Sequence, residues 1–398
     1  MSRLTIGNVC SHFVDCVNRT APESPGGGYY AVGTPAMRGN TISMSEVREL
    51  NFETFQRWTR RLVPEEGDLL VAREAPVGPV VRVPAGDVWA AGQRTTHLRA
   101  NSELINPRYF YYLLISPIVQ RRLLSRAMGS TVEHLRVGDV RDFVLPTLPN
   151  RASQDAIAEV LGALDDKIAA NERLSSGAQS LLQEHFAMLG LDRFADTGPF
   201  LTVNDLFEVN PRTSRKVTGQ SPYLGMKDLP DTSMTVSSWS TREAKSGARF
   251  VNGDVLLARI TPCLENGKAG YVDFLENAEI GIGSTEFIVV RARDPLLSVV
   301  PFFLTKSERF RDFAIRHMQG TSGRQRLAAS DVAGYQLAEV EDERLNRFGE
   351  LSISLLERVR TAVAESQGLA HTRDELLPLL MSGKITVKDA ENVVSDAV

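Results

Sequence analysis

Two long stretches of the chain place apolar residues three or four positions apart, which is the spacing of a helix packed along another helix. Each stretch has one apolar stripe and a polar remainder, so we expect the two stripes to be buried on each other. The helices should be antiparallel, because residues 196–340 separate them in the chain. The stripe positions that we assign to helix pairing are Ile157, Leu161, Leu164, Ile168, Leu355 and Val359.

The first predicted helix covers residues 154–189 and would be roughly 54 Å long at 1.5 Å per residue. Gly190 is a natural stop. Asn171 falls on the apolar stripe, where it either fixes the register of the pair or is a solvated residue at a slip in phase. In the second helix, Pro378 should introduce a kink or an end. We expect residues 389–398 to form a loose tail.

The segments before these helices contain shorter apolar runs bounded by glycine and proline, and they predict a mixed α/β fold. Residues 69–72 and 77–83 are expected to be strands. Residues 106–124 should form one continuous helix that begins at the Asn106-Pro107 pair, since proline suits a first helical turn. Residues 301–318 occupy the same place in the second half of the chain and should be helical as well.

The chain also contains a long internal repeat. Gly67-Asp68-Leu69-Leu70-Val71-Ala72-Arg73 returns as Gly253-Asp254-Val255-Leu256-Leu257-Ala258-Arg259, and further matches occur in the same order on both sides. A repeat of this length indicates a duplicated domain rather than a solenoid. We predict a first domain at 1–150, a central helix at 151–195, a second domain at 196–340, and a C-terminal helix with its tail at 341–398. Such a pseudo-two-fold protein suits a ligand with two similar parts, and a DNA site with two halves is the obvious candidate.

Net charge refines this picture. The whole chain carries −4, but residues 1–150 carry +3 and residues 196–340 carry 0, while the two helical stretches carry −3 and −4. The acidity therefore lies mainly on the helices, and the two domains retain the capacity for basic faces.

Catalytic signatures are missing from the sequence. It contains no glycine-rich phosphate loop of the Gly-x-x-x-x-Gly-Lys type, and Asn106-Pro107-Arg108-Tyr109 departs from the Asn-Pro-Pro-aromatic motif of amino-methyltransferases at Arg108. Three scattered cysteines give no metal-ligand spacing and fit a reduced, cytoplasmic protein. No segment approaches the length of a transmembrane helix. We expect neither an enzyme, nor a metal site, nor a membrane protein.

Two loops are the best candidates for reading DNA. Each follows one of the equivalent helices and combines hydroxyl groups with cationic or amide side chains, which can bind phosphates and base edges. A capped turn that returns the chain to the sheet is the alternative interpretation. The first loop contributes Ser130, Thr131, His134 and Arg136, and the second contributes Thr321, Ser322, Arg324, Gln325 and Arg326.

Further basic residues outside these loops complete the predicted DNA-binding set. Each group is by itself more typical of an ordinary solvated face, but together they supply enough charge for salt-dependent binding to the DNA backbone. These residues are Arg57, Arg60 and Arg61 beside Trp58, Arg94 and Thr96 in a polar loop, and Arg215 and Lys216 in the second domain.

With these motifs in place, the chain resembles the specificity (S) subunits of type I restriction–modification systems. The resemblance rests on the duplicated Gly-Asp-x-Leu-x-Ala-Arg strand, on the run at 129–149, and on the segment from Gln154 to Ile168 with its Leu164-Asp165-Asp166-Lys167 core. Two departures stand out. Ser153-Gln154 replaces the usual Glu-Gln before the first helix, and the proline-rich run that closes the first half has no counterpart at 337–342.

The resemblance implies two target-recognition domains, each of which reads one half of a gapped sequence in double-stranded DNA. It also implies that the two helices space these domains and dock two methyltransferase (M) subunits, with restriction (R) subunits as optional further partners. The residues that we assign to these partner-docking helices are Ile157, Leu161, Leu164, Ile168, Leu355 and Val359. This chain would bind no cofactor, and S-adenosylmethionine would be held by the methyltransferase subunit that methylates adenine. Two alternatives stay open: a specificity or adaptor subunit of another phage-defence complex, and a structural adaptor whose domains bind protein.

Overall fold

The computed structural model describes residues 3–86, 88–129, 133–193, 200–213, 219–236, 238–243, 246–276, 279–321 and 323–397. The chain divides into two compact units. Unit 1 consists of residues 1–168 together with 366–398, and unit 2 consists of residues 169–365. Both long helices therefore contribute one part of their length to each unit.

Unit 1 is built on two small sheets and several short helices. Its strands are β1 (Cys10–Asp15), β2 (Tyr29–Val32), β3 (Arg48–Leu50), β4 (Leu69–Arg73), β5 (Val77–Arg82), β6 (Trp89–Ala91) and β7 (Thr95–Ala100). Its helices are α1 (Phe52–Thr59), α2 (Pro107–Ile115), α3 (Pro117–Leu124), α4 (Val137–Arg141) and the first part of α5 (Arg151–Leu189). The first sheet has the antiparallel order β1-β7-β4-β5, and the second has the order β3-β2-β6, in which β2 and β6 are parallel.

Unit 2 repeats this plan. Its strands are β8 (Phe200–Thr202), β9 (Phe207–Val209), β10 (Gln220–Leu224), β11 (Ser240–Glu243), β12 (Ala248–Phe250), β13 (Asp254–Ala258), β14 (Ala269–Tyr271), β15 (Gly281–Gly283), β16 (Phe287–Ala292) and β17 (Gln336–Ala338). Its helices are α6 (Val203–Leu206), α7 (Val300–Lys306), α8 (Glu308–Arg316), α9 (Ala329–Ala333) and the first part of α10 (Asp342–Met381). The first sheet has the order β9-β16-β13-β14, and the second has the order β11-β10-β15-β12.

The repeated Gly-Asp motif forms the same central strand in both units, β4 and β13. Both strands are buried along most of their length, and each pairs with the corresponding antiparallel neighbour, β7 or β16. Near-continuous apolar sequence is expected of a strand that is covered on both faces. The mixed α/β fold and the duplication predicted from the sequence are therefore confirmed.

The first long helix matches its prediction closely. Helix α5 begins three residues before the predicted start and ends at Leu189, next to Gly190 with its positive φ of 75°. Within unit 2, Asn171 of α5 donates a hydrogen bond to the carbonyl oxygen of Ala362 (3.1 Å), and Arg344 donates one to the carbonyl oxygen of Met188 (2.9 Å). Asn171 precedes Met188 in α5, whereas Ala362 follows Arg344 in α10, so the two helices are antiparallel. Asn171 is buried, and its contact supports the register-fixing interpretation over the solvated one.

Two expectations about helix ends are wrong. The segment 106–124 is not one helix, because Ser116 adopts an extended conformation (ψ 143°) that divides α2 from α3. The residue before a proline disfavours helical geometry, and Pro117 follows Ser116. The segment 301–318 divides at the equivalent Ser307, which has a ψ of 145°. In α10, the helix continues through Pro378 to Met381.

The C-terminal residues are also better ordered than predicted. Instead of a loose tail, they form helix α11 (Val387–Ala397), which packs Ala390 into the core of unit 1. Thr386 begins this helix, since Asp389 accepts hydrogen bonds from both its backbone N–H (2.9 Å) and its hydroxyl (2.7 Å). In the described part of the chain, no helix combines the length and the apolar character needed to cross a membrane.

Candidate nucleic-acid interface

The aspartate of each repeated motif is a buried scaffold residue. Asp68 is 5% exposed and accepts hydrogen bonds from His97 Nε2 (2.7 Å) and Arg99 (2.8 Å). Burial alone would raise the pKa of Asp68, but these hydrogen bonds lower it to about 2. Asp254 is fully buried and accepts hydrogen bonds from Nε and Nη2 of Arg291, each 2.7 Å long. Its burial outweighs this contact and raises the pKa. Both aspartates thus hold the sheet together.

The arginines that end the motif tie the candidate loops to the sheet. The backbone oxygen of Arg73 accepts a hydrogen bond from Leu135 N, and that of Arg259 accepts one from Leu327 N, both at 2.8 Å. The Arg73 side chain also donates to Asp15 (2.7 Å) and to the Leu135 carbonyl oxygen (3.2 Å). Strand and loop are consequently joined in the same way in both units.

Each candidate loop is closed at its base by a pair of backbone hydrogen bonds. Met128 and His134 exchange two bonds of 2.9 Å, and Gln319 and Arg326 exchange bonds of 2.9 and 3.0 Å. His134 and Arg326 therefore occupy equivalent positions. These backbone pairs mark the base of each candidate loop. The predicted contacts Ser130, Thr131 and Ser322 lie outside the described residues.

The first loop places its two remaining candidates differently. His134 is half-buried at the loop base. Arg136 is exposed, and it caps α4 through a backbone N–H that donates to Asp139 Oδ2 (3.0 Å). A capped turn, the alternative interpretation of this loop, is therefore present at Arg136. The cap uses the backbone N–H of Arg136, and the residue is exposed.

In the second loop, one arginine is held and another is accessible. Arg326 donates to both carboxylate oxygens of Glu286, at 2.8 and 2.7 Å, and this contact lowers the pKa of Glu286. Arg324 and Thr321 are exposed. Gln325 is fixed through its backbone, which donates to Thr261 Oγ1 at 3.2 Å. Arg324 is therefore the most accessible cation in this loop.

Arg94 lies at the position of unit 1 that corresponds to Glu286 in unit 2. The backbone N–H of Arg73 donates to the oxygen of Arg94, and that of Arg259 donates to the oxygen of Glu286 (both 3.0 Å). Arg94 forms an ion pair with Glu74 (3.2 Å). The two units thus invert the charge at one equivalent position beside the loop.

The remaining candidates are scattered. Thr96 is fully buried in β7, so its side chain contacts the core rather than a surface ligand. Arg57 pairs with Glu53 on α1 (3.2 Å), Arg61 donates to the Asp15 carbonyl oxygen (3.4 Å), and Arg60 is exposed. Arg215 and Lys216 lie outside the described residues.

The apolar stripes of the long helices lie within the cores of the two units. In unit 1, Ile157, Leu161 and Leu164 are buried with Leu369 and Leu376, and Ile168 packs at the edge. In unit 2, Leu355 packs against the core that contains Leu356, and Val359 is buried. A partner protein would therefore meet the outward faces of the helices and not these stripe residues.

The Leu164-Asp165-Asp166-Lys167 segment fastens α5 to unit 1 through polar contacts that the sequence did not reveal. Arg108 donates to both oxygens of Asp166, at 2.8 and 2.7 Å. Tyr112 and Arg373 donate to the two oxygens of Asp165, at 2.5 and 2.8 Å. Gln154 Oε1 accepts a hydrogen bond of 2.9 Å from the backbone N–H of Asn106. These contacts attach this segment of α5 to the rest of unit 1.

Sequence inspection also missed the outer face of the second sheet in unit 2. There the Arg242 guanidinium lies 3.9 Å from the centre of the Tyr223 ring, and all four residues of β11 are exposed. A signal for this surface was present, since residues 210–250 contain seven lysines and arginines and only three acidic residues.

Comparison with known proteins gives consistent matches. A model of the type I restriction modification DNA specificity domain matches residues 26–177. The specificity subunit of the type I restriction enzyme EcoAI from Escherichia coli is 29% identical over 140 residues, which are 33% of this chain and 23% of that protein. The EcoEI specificity subunit, also from Escherichia coli, is 24% identical over 242 residues, 56% of this chain and 39% of that protein. The chain spans well under half the length of these curated relatives.

Among solved structures, the S subunit of a type I restriction–modification system from M. genitalium has a similar fold. The TM-score is 0.54, the sequence identity is 16%, and the match covers 95% of each chain. The shared property at this level of identity is the architecture of two sheet-rich regions and two long helices.

Proposed function

We propose that the chain is a specificity subunit of a type I restriction–modification system, because residues 26–177 match the DNA specificity domain of such systems, and that it reads a bipartite, gapped sequence in double-stranded DNA. Each unit would read one half of the target. The chain would work in the cytoplasm and perform no catalysis itself.

One observation supports this proposal: the two units keep the same scaffold and differ at the loop positions that would face the DNA. Asp68 and Asp254 are both buried, and Arg73 and Arg259 make the same backbone contact to the following loop. At the loop base, His134 corresponds to Arg326. A protein that binds one symmetric ligand would keep such positions alike, whereas one that reads two different half-sites would change them.

The chemistry of the loops fits recognition of base edges and phosphates. Arg324 and Arg136 are exposed, and a guanidinium can donate two parallel hydrogen bonds to the major-groove edge of guanine. Half-sites that are read together lie about one turn, or roughly 34 Å, apart on the duplex. The gap between the half-sites would therefore be set by the helices α5 and α10.

The same helices would dock two methyltransferase subunits. Because the apolar stripes of α5 and α10 are packed in the cores of the units, the methyltransferase subunits would dock on the exposed, mostly acidic faces of these helices. S-adenosylmethionine would be bound by the methyltransferase subunit, which would methylate adenine, and restriction subunits could join the assembled complex.

Mapping of base modifications in the host genome, with and without this gene, tests the proposal. Loss of methylation at a single bipartite motif, with all other motifs unchanged, is the expected result. An unchanged methylation pattern in a strain whose methyltransferase partner is still produced would overturn it. Restoration of the gene on a plasmid provides the control, because it should return methylation to that motif alone.

A further inference from the structure

The second sheets of the two units have matching inner faces. In unit 1, Val32 packs towards the first sheet, in a core with Leu70 and Ala72. In unit 2, Leu224 packs in the same manner with Leu256 and Ala258. The strands correspond residue by residue, since Gly92 N donates to Val32 O (2.9 Å) and Ser284 N donates to Leu224 O (3.1 Å).

The outer face of this sheet is covered in unit 1. Helix α1 places Phe55 and Trp58 over Ala31, Leu50 and Ala90, and all five residues are buried together. Small residues at Ala31 and Ala90 leave room for the aromatic rings of the helix. This face is therefore part of the core of unit 1 and is not available to a ligand.

In unit 2, the corresponding positions have a different chemistry. Tyr223 stands in place of Ala31, Ile282 in place of Ala90, and Arg242 in place of Leu50, according to the matching strand pairs. The chain that follows β11 forms the additional strand β12 and pairs with β15, where unit 1 has helix α1. We call the outer surface formed by Tyr223, Ser240, Arg242 and Arg249 the open face.

The open face is cationic and partly aromatic. Arg242 and Arg249 are exposed, and Tyr223 is half-buried beneath the Arg242 guanidinium. Among the described residues, no carboxylate forms an ion pair with Arg242, which contrasts with the bidentate pair between Arg326 and Glu286. Stacking on the ring limits the rotamers of Arg242 while it leaves the N–H groups at its edge free to bind an anion.

Building on the proposed function, we propose that the open face binds the phosphate backbone of the duplex next to the half-site read by unit 2. Strands β11 and β12 are three strand spacings apart, so the open face is roughly 14 Å wide, which corresponds to about four base pairs along the duplex axis. Unit 1 has no equivalent surface because α1 covers it. Backbone binding by the second sheet is thus a property of unit 2 alone.

Charge complementarity favours DNA over a protein as the occupant. The centre of a protein–protein interface is depleted of charged residues, whereas arginine is common at contacts to phosphates. The sheet that carries the open face is connected to the predicted reading loop at the end of β15. Glu286 N donates to Ser284 Oγ (3.1 Å) beside the end of β10, and the Glu286 carboxylate holds Arg326. One duplex could therefore contact both surfaces of unit 2.

The test measures binding of the full chain to a mixed-sequence duplex of 30 base pairs between 50 and 200 mM salt. Each phosphate contact contributes about 0.9 to the slope of log affinity against log salt. Arg242→Gln should make this slope shallower by about 0.9. Between 50 and 200 mM salt, the affinity of the unmodified protein should therefore fall about 3.5-fold more than the affinity of the variant. Arg242→Lys keeps the charge and should keep the slope, and Arg316→Gln on α8 is a matched exposed control.

Three results would overturn the inference. The first is an unchanged salt slope in Arg242→Gln while the protein still binds duplex DNA. The second is a loss confined to one base pair of the motif, which would indicate base reading. The third is an Arg242→Gln protein that binds DNA normally but no longer binds the methyltransferase subunit, which would assign the face to protein docking. Failure of the bipartite-motif proposal itself would appear separately, in the genome map.

Discussion

The Tyr112 hydroxyl donates a hydrogen bond of 2.5 Å to the carboxylate of Asp165, and so joins α2 to the long helix α5. Phe303 and Leu356 occupy the equivalent positions in unit 2, where both are buried in the apolar core. One architectural joint is therefore polar in one unit and apolar in the other.

Replacement of this pair should reveal strong coupling. Asp165→Leu leaves the Tyr112 hydroxyl without its acceptor and removes one of the two carboxylates that pair with Arg373. We expect a loss of about 2–3 kcal/mol in the free energy of unfolding. Tyr112→Phe should cost about 1 kcal/mol. The double variant, which copies unit 2, should lose less than the sum, as measured by urea denaturation. Additive losses would mean that the two side chains act independently.

The depressed pKa of Asp68 predicts how stability depends on pH. Its pKa of about 2 in the folded protein lies below the ordinary aspartate value of 3.8, so its ionised form stabilises the fold. This contribution, about 2 kcal/mol, is present above pH 4 and is lost as the pH falls towards 2. The difference in unfolding free energy between the native protein and Asp68→Asn should therefore shrink over that window. A difference that stays constant with pH would contradict the prediction, and Asp142→Asn, at an exposed position, is the control.

Variants of the two loops should affect different half-sites. Arg324→Ala and Arg326→Ala should weaken recognition of the half-site read by unit 2, and Arg136→Ala should weaken the other. Loss of one bidentate contact costs about 1–3 kcal/mol of discrimination. Methylation of a library with single base changes in the motif would show the effect. If Arg324→Ala and Arg136→Ala relax the same half-site, the assignment of one half-site to each unit is incorrect.

A change in helix length should alter the gap and not the half-sites. Insertion of one helical turn near Leu174 adds about 5.4 Å. A matching turn near Val359 of α10, opposite Leu174 in the antiparallel pair, preserves both the contact between Asn171 and Ala362 and that between Met188 and Arg344, which an insertion in α5 alone would shift against each other. We expect the doubly extended protein to methylate a motif with the same halves and a longer gap. Altered half-sites with an unchanged gap would disprove the idea that the helices set the spacing.

Sequence patterns predicted the central strands and the long helices because both depend on short-range periodicity. The break at Ser116 was missed, since Asn106-Pro107 and Pro117 can each begin a helix and the apolar run continues across the second proline. Helix α11 was missed although Thr386 and Asp389 have the spacing of a capping box. Its apolar residues are few, and their burial depends on unit 1 residues that are distant in sequence.

The candidate site was harder to predict than the fold. Nothing local in the sequence indicates that Arg326 is paired with Glu286, 40 positions away, or that Thr96 points into the core. The open face was missed for a related reason. Arg242 becomes prominent only when β11 is compared with the strand in unit 1 that α1 covers.

The discontinuity of unit 1 has a consequence for the order of folding during synthesis. Residues 366–397, which supply Leu369, Leu376 and Leu380 to its core, are translated only after all of unit 2. At about 5–20 residues per second, the partners of Leu161 and Leu164 appear roughly 10–40 s after those residues. Unit 2 can therefore complete its fold on the ribosome before unit 1 does. Until residues 366–397 are made, unit 1 exposes the apolar surface that they cover, and a chaperone that holds unfolded chains could bind it.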